Sequence, residues 1–316
     1  MNLLITGGCG FIGSNFVELV LTEMRDAVNK VVNLDALTYA GTTENTQEFT
    51  EDEKYIFEKV DICNLAEVHR VCNQHDITHI VHLAAESHVD NSILNPRAFI
   101  DTNVLGTYNL LQVAKQNGLR FHHVSTDEVY GELGETGKFN ENTAYDPRNP
   151  YSASKASSDF LVMAYYHTYG LEVTISNCSN NYGPRQHQEK FIPTVISCIL
   201  NGKKIPLYGT GTNIRDWIYV KDHCIGIWDV LTSGVIGETY CIGSNCEKRN
   251  IDIIHTICST MGVTPEESIE YVEDRLGHDF RYAIDSAKIT ENLSWRPRTS
   301  FEDGIEMTIR WYNEKN

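Results

Sequence analysis

Asn2-Leu-Leu-Ile-Thr6-Gly7-Gly-Cys-Gly10-Phe-Ile-Gly13 decides the fold. The short apolar run Asn2–Thr6 reads as a buried strand, and the amphipathic stretch Phe11–Arg25 reads as a helix. Glycines at 7, 10 and 13 join the two. Such a turn lets the backbone approach a pyrophosphate, and the helix N-terminus offers free N–H groups and a positive dipole end. A second strand, Lys30–Leu34, leads into Asp35. A carboxylate there accepts hydrogen bonds from a ribose and repels a 2′-phosphate. No Lys or Arg follows before Lys54, so NAD is favoured over NADP. The competing reading is a strand–turn–helix that serves structure alone.

Outward from this unit, apolar and amphipathic stretches alternate. Tyr55–Val60, Thr78–Ala84, Leu119–Val124 and Leu171–Ser176 read as further strands. Leu65–Gln74, Ala98–Gln116 and Ser152–Tyr169 read as helices, and polar Thr42–Lys54 as a solvated excursion. The alternation predicts an α/β fold, a doubly wound parallel sheet covered on both faces. After about residue 177, Pro and Gly punctuate shorter segments, with one strand–helix unit over Asp216–Thr232. The expected division is a nucleotide-binding domain over 1–177 and a smaller mixed α/β substrate lobe over 178–316. The chain is expected to return to the first domain around 212–242.

Composition narrows the function. The 316 residues hold 26 Lys and Arg against 43 Asp and Glu, a formal charge of −17, which argues against a nucleic-acid partner. No apolar run reaches the ~18 residues of a membrane span. Nine cysteines form no C-x-x-C pair and no disulfide framework. Cys72, His75, His79 and His82 come near helical spacing, but the last two fall in the strand Thr78–Ala84, so no metal site is expected. With a strand starting at residue 2, no signal or transit peptide is expected, and a reducing cytoplasm fits best.

The chemistry lies in two later motifs. In Tyr151-Ser-Ala-Ser-Lys155 the phenol and ammonium share one helical face. Lys155 is expected to lower the Tyr151 pKa from about 10 towards neutrality and to reach the nicotinamide ribose. Both this motif and the glycine spacing resemble the short-chain dehydrogenases/reductases. Strand Leu119–Val124 runs into Ser125-Thr-Asp-Glu-Val-Tyr-Gly131. Adjacent strand residues face opposite ways, so Asp127 and Glu128 share a cleft only if the strand has ended. A hydroxyl oxidoreductase has no use for two further acids. Carboxyls in different environments can split into an acid and a base, as an elimination of water requires.

With Ala84-Ala-Glu-Ser-His-Val-Asp90, Cys178-Ser-Asn-Asn-Tyr-Gly-Pro184, Arg215-Asp-Trp217 and Gly277-His-Asp279 added, the chain resembles the dTDP-glucose 4,6-dehydratase family essentially end to end. That family belongs to the extended short-chain dehydrogenases. The resemblance implies a Rossmann-type nucleotide domain, bound NAD, a dTDP-sugar substrate, a role in deoxysugar (rhamnose) biosynthesis, and a homodimer built on two long helices. It implies that Tyr151, aided by Thr126, takes the C4 hydroxyl proton, that Glu128 removes the C5 hydrogen, and that protonated Asp127 donates to the departing C6 hydroxyl. Lys155 completes the catalytic set. Cofactor contacts implied are Gly7, Gly10, Phe11, Ile12, Gly13, Asp35, Thr38, Asp61, Ile62, Leu83, Ala85, Thr102, Tyr151, Lys155 and Asn181. Substrate contacts implied are Ser87, Thr126, Asn180, Lys190, Arg215, Asn250 and Tyr282, with Arg215 on the diphosphate. Asn91, Arg185, Gln188, Ser244 and Leu276 depart from the family's usual residues, and none is a catalytic group. The same reaction on UDP-glucose, a C4 epimerase and an NAD-sensing scaffold are the alternatives weighed.

Overall fold

The computed structural model describes residues 1–274 and 279–315. Leu276 and the Gly277-His278 part of the last motif lie outside the described residues.

Six strands form in the order expected: β1 (Asn2–Thr6), β2 (Lys30–Asp35), β3 (Tyr55–Lys59), β4 (His79–His82), β5 (Arg120–Thr126) and β6 (Val173–Cys178). They are followed by β7 (Asn180–Tyr182), β8 (Ile205–Tyr208), β9 (Ile214–Tyr219), β10 (Thr239–Ile242), β11 (Glu247–Arg249) and β12 (Ile269–Val272). A seven-stranded parallel sheet runs β10-β6-β5-β4-β1-β2-β3. Alternation along each strand feeds two cores. Leu3 and Ile5 pack with Phe16, Ile227 and Trp228 on one face. Leu4 packs with Val68, Leu110 and Val162 on the other. The chain winds outward from β1 through β2 to β3, then returns to β4 on the opposite side of β1. That reversal opens a crevice beyond the carboxyl ends of β1 and β4.

The stretch expected as one helix over Ala98–Gln116 is a composite. Pro96–Phe99 is helical, Ile100–Gly106 is a π-turn, and Thr107–Asn117 is α-helical up to Gly118, which takes a left-handed conformation. The cause is Asn103, buried and turned inward. Its Oδ1 accepts from Glu86 N (2.8 Å), and its Nδ2 donates to Ser154 Oγ (2.8 Å) and Glu86 O (3.0 Å). Gly106 meanwhile lies where a Cβ would come within 2.5 Å of Ile62. The wider turn satisfies both constraints at once, as π-turns near functional sites commonly do.

Beyond β6, β7, β9 and β11 form a three-stranded sheet, and β8 pairs with β12. They pack over a separate apolar core around Tyr182, Ile196, Trp217, Ile254 and Ile305. The strand at 214–219 pairs with β7 and β11 and not with the large sheet. What comes back to the large sheet is the helix Val220–Ser233, packed against the Phe11–Thr22 helix, and β10, paired with β6.

Candidate active site

A cleft of about 330 Å³ opens at the topological reversal. Its floor is the glycine turn. Gly7 has φ +72°, and a Cβ on Gly13 would stand 2.1 Å from Gly7 O, so neither position tolerates a side chain without a shift. Gly10 caps the Phe11–Thr22 helix with no side-chain bond, and no acidic residue sits in the first turn. The helix thus presents bare N–H groups, the arrangement that holds phosphate. Asp35 ends β2 at the cleft wall. Its two oxygens accept from Cys9 N (2.9 Å) and Leu37 N (2.8 Å), leaving lone pairs for a diol. Lys54 points elsewhere, donating to Arg25 O and Val28 O. The residues present fit NAD.

Every cofactor contact expected from the sequence lines this cleft: the glycine turn with Phe11 and Ile12, Asp35, Thr38, Asp61, Ile62, Leu83, Ala85, Thr102, Tyr151, Lys155 and Asn181. Of the expected substrate contacts, Ser87, Thr126, Asn180 and Lys190 line it too. Arg215, Asn250 and Tyr282 do not. Arg215, on β9, stacks over the Tyr282 ring at 4.3 Å and donates to Asp279 O (2.9 Å). Its charge still reaches the cleft, because it acts on both Asp127 and Glu128. Asn250 opens the Asn250–Met261 helix and bonds through its backbone to Asn213 O.

The acid pair owes its placement to the end of β5. The strand stops at Thr126, whose Oγ1 accepts from Glu128 N (3.3 Å) and caps a 3₁₀ turn over Asp127–Tyr130. That turn brings consecutive residues to one cleft, which a strand could not do. Asp127 is 2 % exposed, and its Oδ2 has no hydrogen-bond partner among the described residues. Burial, reinforced by Glu128 and Asp216, pushes its carboxyl well above the usual range, so it carries a proton. Burial also raises Glu128, but Arg215, Lys190 and a bond from Asn149 pull it back. Two adjacent carboxyls thus differ, one held as an acid and the other nearer to a base.

Tyr151 and Lys155 lie on the helix Pro150–Tyr169, started by an Asn149/Ser152 capping box. The phenol bonds to Thr126. The expected lowering of its pKa by Lys155 is not what this geometry gives. Burial, then the nearby Glu128 and Cys178, push the Tyr151 phenol well above its ordinary value. Lys155 Nζ donates to Val124 O (2.8 Å), and burial lowers its own pKa. One group was missed in the sequence altogether. Buried Asp159, one turn beyond Lys155, accepts from Ser125 Oγ (2.9 Å) and Tyr145 OH (2.8 Å). Its signal was the i, i+4 spacing from Lys155.

Two of the departures have structural explanations. Arg185 sits at φ +67° and joins Glu18 on the glycine-turn helix to Glu48 in the excursion after β2, the latter at 2.7 Å. Ser244 Oγ donates to Trp217 O (2.6 Å), a bond glycine cannot make. Asn91 and Gln188 are exposed.

The family model described as GDP-mannose 4,6 dehydratase matches residues 4–308. A dTDP-glucose 4,6-dehydratase of Salmonella typhimurium is 50% identical, covering 99% of this chain and 92% of the relative. A crystal structure of a dTDP-glucose 4,6-dehydratase from Bacillus anthracis in complex with NAD is 45% identical with a TM-score of 0.92, covering 99% of this chain and 97% of that one. One from Streptomyces venezuelae, also with NAD bound, is 45% identical with a TM-score of 0.96 and the same coverage.

Proposed function

The chain belongs to the GDP-mannose 4,6 dehydratase family of nucleotide-sugar dehydratases, and from that premise we propose how its cleft converts dTDP-glucose to dTDP-4-dehydro-6-deoxyglucose and water. The observation that carries the reading is the unequal pair at the end of β5, a buried Asp127 pushed well above the carboxylate range beside a partly exposed Glu128 that Arg215, Lys190 and Asn149 pull back down. An oxidoreductase acting on a hydroxyl alone needs neither.

The glycine turn, Asp35 and Lys155 would hold NAD, which when bound would supply the acceptor for a hydride from C4 and the donor of that hydride to C6. Tyr151, bonded to Thr126, receives the proton of the C4 hydroxyl. The C4 ketone makes the neighbouring C5 hydrogen acidic. Glu128 removes it as a proton, and Asp127 gives its own proton to the C6 hydroxyl, which departs as water. Glu128 then restores a proton at C5. Ser87, Asn180 and Lys190 hold the sugar nucleotide, with Arg215, Asn250 and Tyr282 at its far side.

Gly13→Ala tests the cofactor seat. The added methyl collides with Gly7 backbone, and overpacking of about 1–3 kcal/mol predicts a loss of NAD affinity of roughly tenfold or more. Titration of NAD into stripped protein measures it. The function itself is tested by incubation with dTDP-glucose or UDP-glucose in deuterated water, followed by mass spectrometry. The expected product has lost one water and gained one solvent deuteron at C5, with dTDP-glucose consumed faster. An unchanged dTDP lane, with NAD supplied, would overturn the reading.

We divide the chain, on the same basis, into a nucleotide domain over 1–177, to which 220–242 returns, and a sugar-nucleotide lobe over the rest of 178–316. A cytoplasmic homodimer completes the reading. Supporting it, Ile100, Leu105, Tyr108, Phe160 and Tyr169 are exposed on the two long helical stretches, and no helix among the described residues is long and apolar enough to cross a membrane.

A further inference from the structure

Lys155 is a buried cation that donates to a neutral carbonyl, Val124 O. Burial works against its charge, and the largest opposing influence is Asp159 on the next turn of the same helix. Asp159 is 2 % exposed, and nothing in the mechanism above uses it. It is tied into the strands that carry the site. Its Oδ2 accepts from Ser125 Oγ on β5 (2.9 Å), from Tyr145 OH (2.8 Å) and from Asn177 Nδ2 on β6 (3.5 Å). Asn177 Nδ2 also donates to Thr126 O (3.1 Å), so the same cluster braces the residue next to the acid pair.

We propose that Asp159 is a positioning residue of the dehydratase reaction, the buried counter-charge of Lys155, fixed by Ser125, Tyr145 and Asn177. It acts through space rather than by a direct ion pair, in surroundings that screen charge poorly. The neighbouring titratable groups leave this role to it. His123 on β5 stands 3.2 Å from Asp159 Oδ1, with His82 on β4 behind it, and burial holds both imidazoles neutral. Cys178 on β6 is pushed up to about 12, and burial raises the Tyr145 and Tyr130 phenols, so these stay protonated. From the turn after β5, Asp127 is held as an acid and Glu128 faces the cleft. Burial lifts Asp159 itself to about 6, against Lys155 and its hydrogen-bond donors, so the counter-charge disappears as pH falls through that value.

The inference rests on the dehydratase reading for its assay, and two variants move the pH profile in opposite directions. Asp159→Asn keeps an acceptor for the hydroxyl donors and removes the charge. Its NAD content should match wild type. Its kcat for dTDP-glucose should fall at least about tenfold, and the alkaline limb should move down by about one pH unit as Lys155 loses its proton earlier. Tyr145→Phe keeps the charge and removes a donor to the ionised form, so the acid limb should move up instead. A merely structural role would lower both variants' activity without moving either limb. A second readout needs no turnover. Because the folded pKa of Asp159 is raised, its contribution to stability is present below the unfolded value and is lost as pH rises through about 6. The melting temperature of Asp159→Asn relative to wild type should therefore be higher at pH 7 than at pH 4.5. Superimposable pH profiles for wild type and both variants would overturn the proposal, as would a melting-temperature difference independent of pH. A wild-type protein inert towards dTDP-glucose would instead sink the dehydratase reading and leave the melting test standing.

Discussion

Glu128→Gln is expected to abolish dehydration, lowering kcat by about 10³-fold, in the range set for a positioned general base. The amide keeps the size of the side chain and can still accept from Asn149 through its carbonyl oxygen. It cannot take a proton from C5. The step before it, proton transfer from the C4 hydroxyl to Tyr151, does not involve Glu128. Sugar nucleotide recovered from the variant in deuterated water should therefore carry no deuterium at C5, although both NAD and sugar nucleotide remain bound. Exchange at C5 at the wild-type rate would move the base to another residue. The same assignment fixes the pH dependence. Burial raises the Glu128 carboxyl above the ordinary value of about 4.3, and Arg215 and Lys190 oppose the rise. A base must be ionised to act, so wild-type activity should fall as pH drops through that raised value. In Glu128→Gln the part of the acid limb set by Glu128 disappears, and only the fall set by Asp159 at about 6 remains.

The nucleotide half of this site was legible because its signals are local. A strand, three glycines, a helix and an acid at the end of the next strand specify a phosphate seat without knowledge of any distant contact. The end of β5 was legible by the same token, since the acid pair makes sense only where a strand stops. What escaped was set by contacts far apart in sequence. The π-turn at Ile100–Gly106 exists because Asn103 bonds to Glu86 and Ser154, which belong to other elements. Asp159 acquires meaning only when β5 and β6 bring Ser125 and Asn177 against it. Arg215 stacks on Tyr282, 67 positions away in a segment whose motif gave no hint of the pairing. The direction of the Tyr151 shift was misjudged for a related reason. Four-residue spacing reveals which cation is near a phenol, whereas the depth of burial that outweighs it is a property of the whole lobe.

Tyr151→Phe should fail one step earlier than Glu128→Gln, and that order separates the two roles. The change removes a single oxygen from a ring packed edge-on against Phe99 at 6.3 Å, so the fold should persist. Lost with it are the acceptor for the C4 hydroxyl proton and the bond to Thr126. A positioned acid–base group contributes about 10²–10⁴-fold, and kcat should fall by that factor with no C4 ketone formed. Without the ketone the C5 hydrogen is no longer acidic. The ionised Glu128 beside it then has nothing to remove. Neither product nor C5 deuterium should appear from dTDP-glucose. Supplied instead with the 4-keto sugar nucleotide, Tyr151→Phe should exchange C5 at close to the wild-type rate, and Glu128→Gln should not. Failure of the ketone to restore exchange would place Tyr151 in the elimination itself. The phenol starts from a raised pKa, so its work as a base depends on the charge of Lys155. The size of the Tyr151→Phe defect should therefore shrink in an Asp159→Asn background, where the phenolate has already lost part of its support.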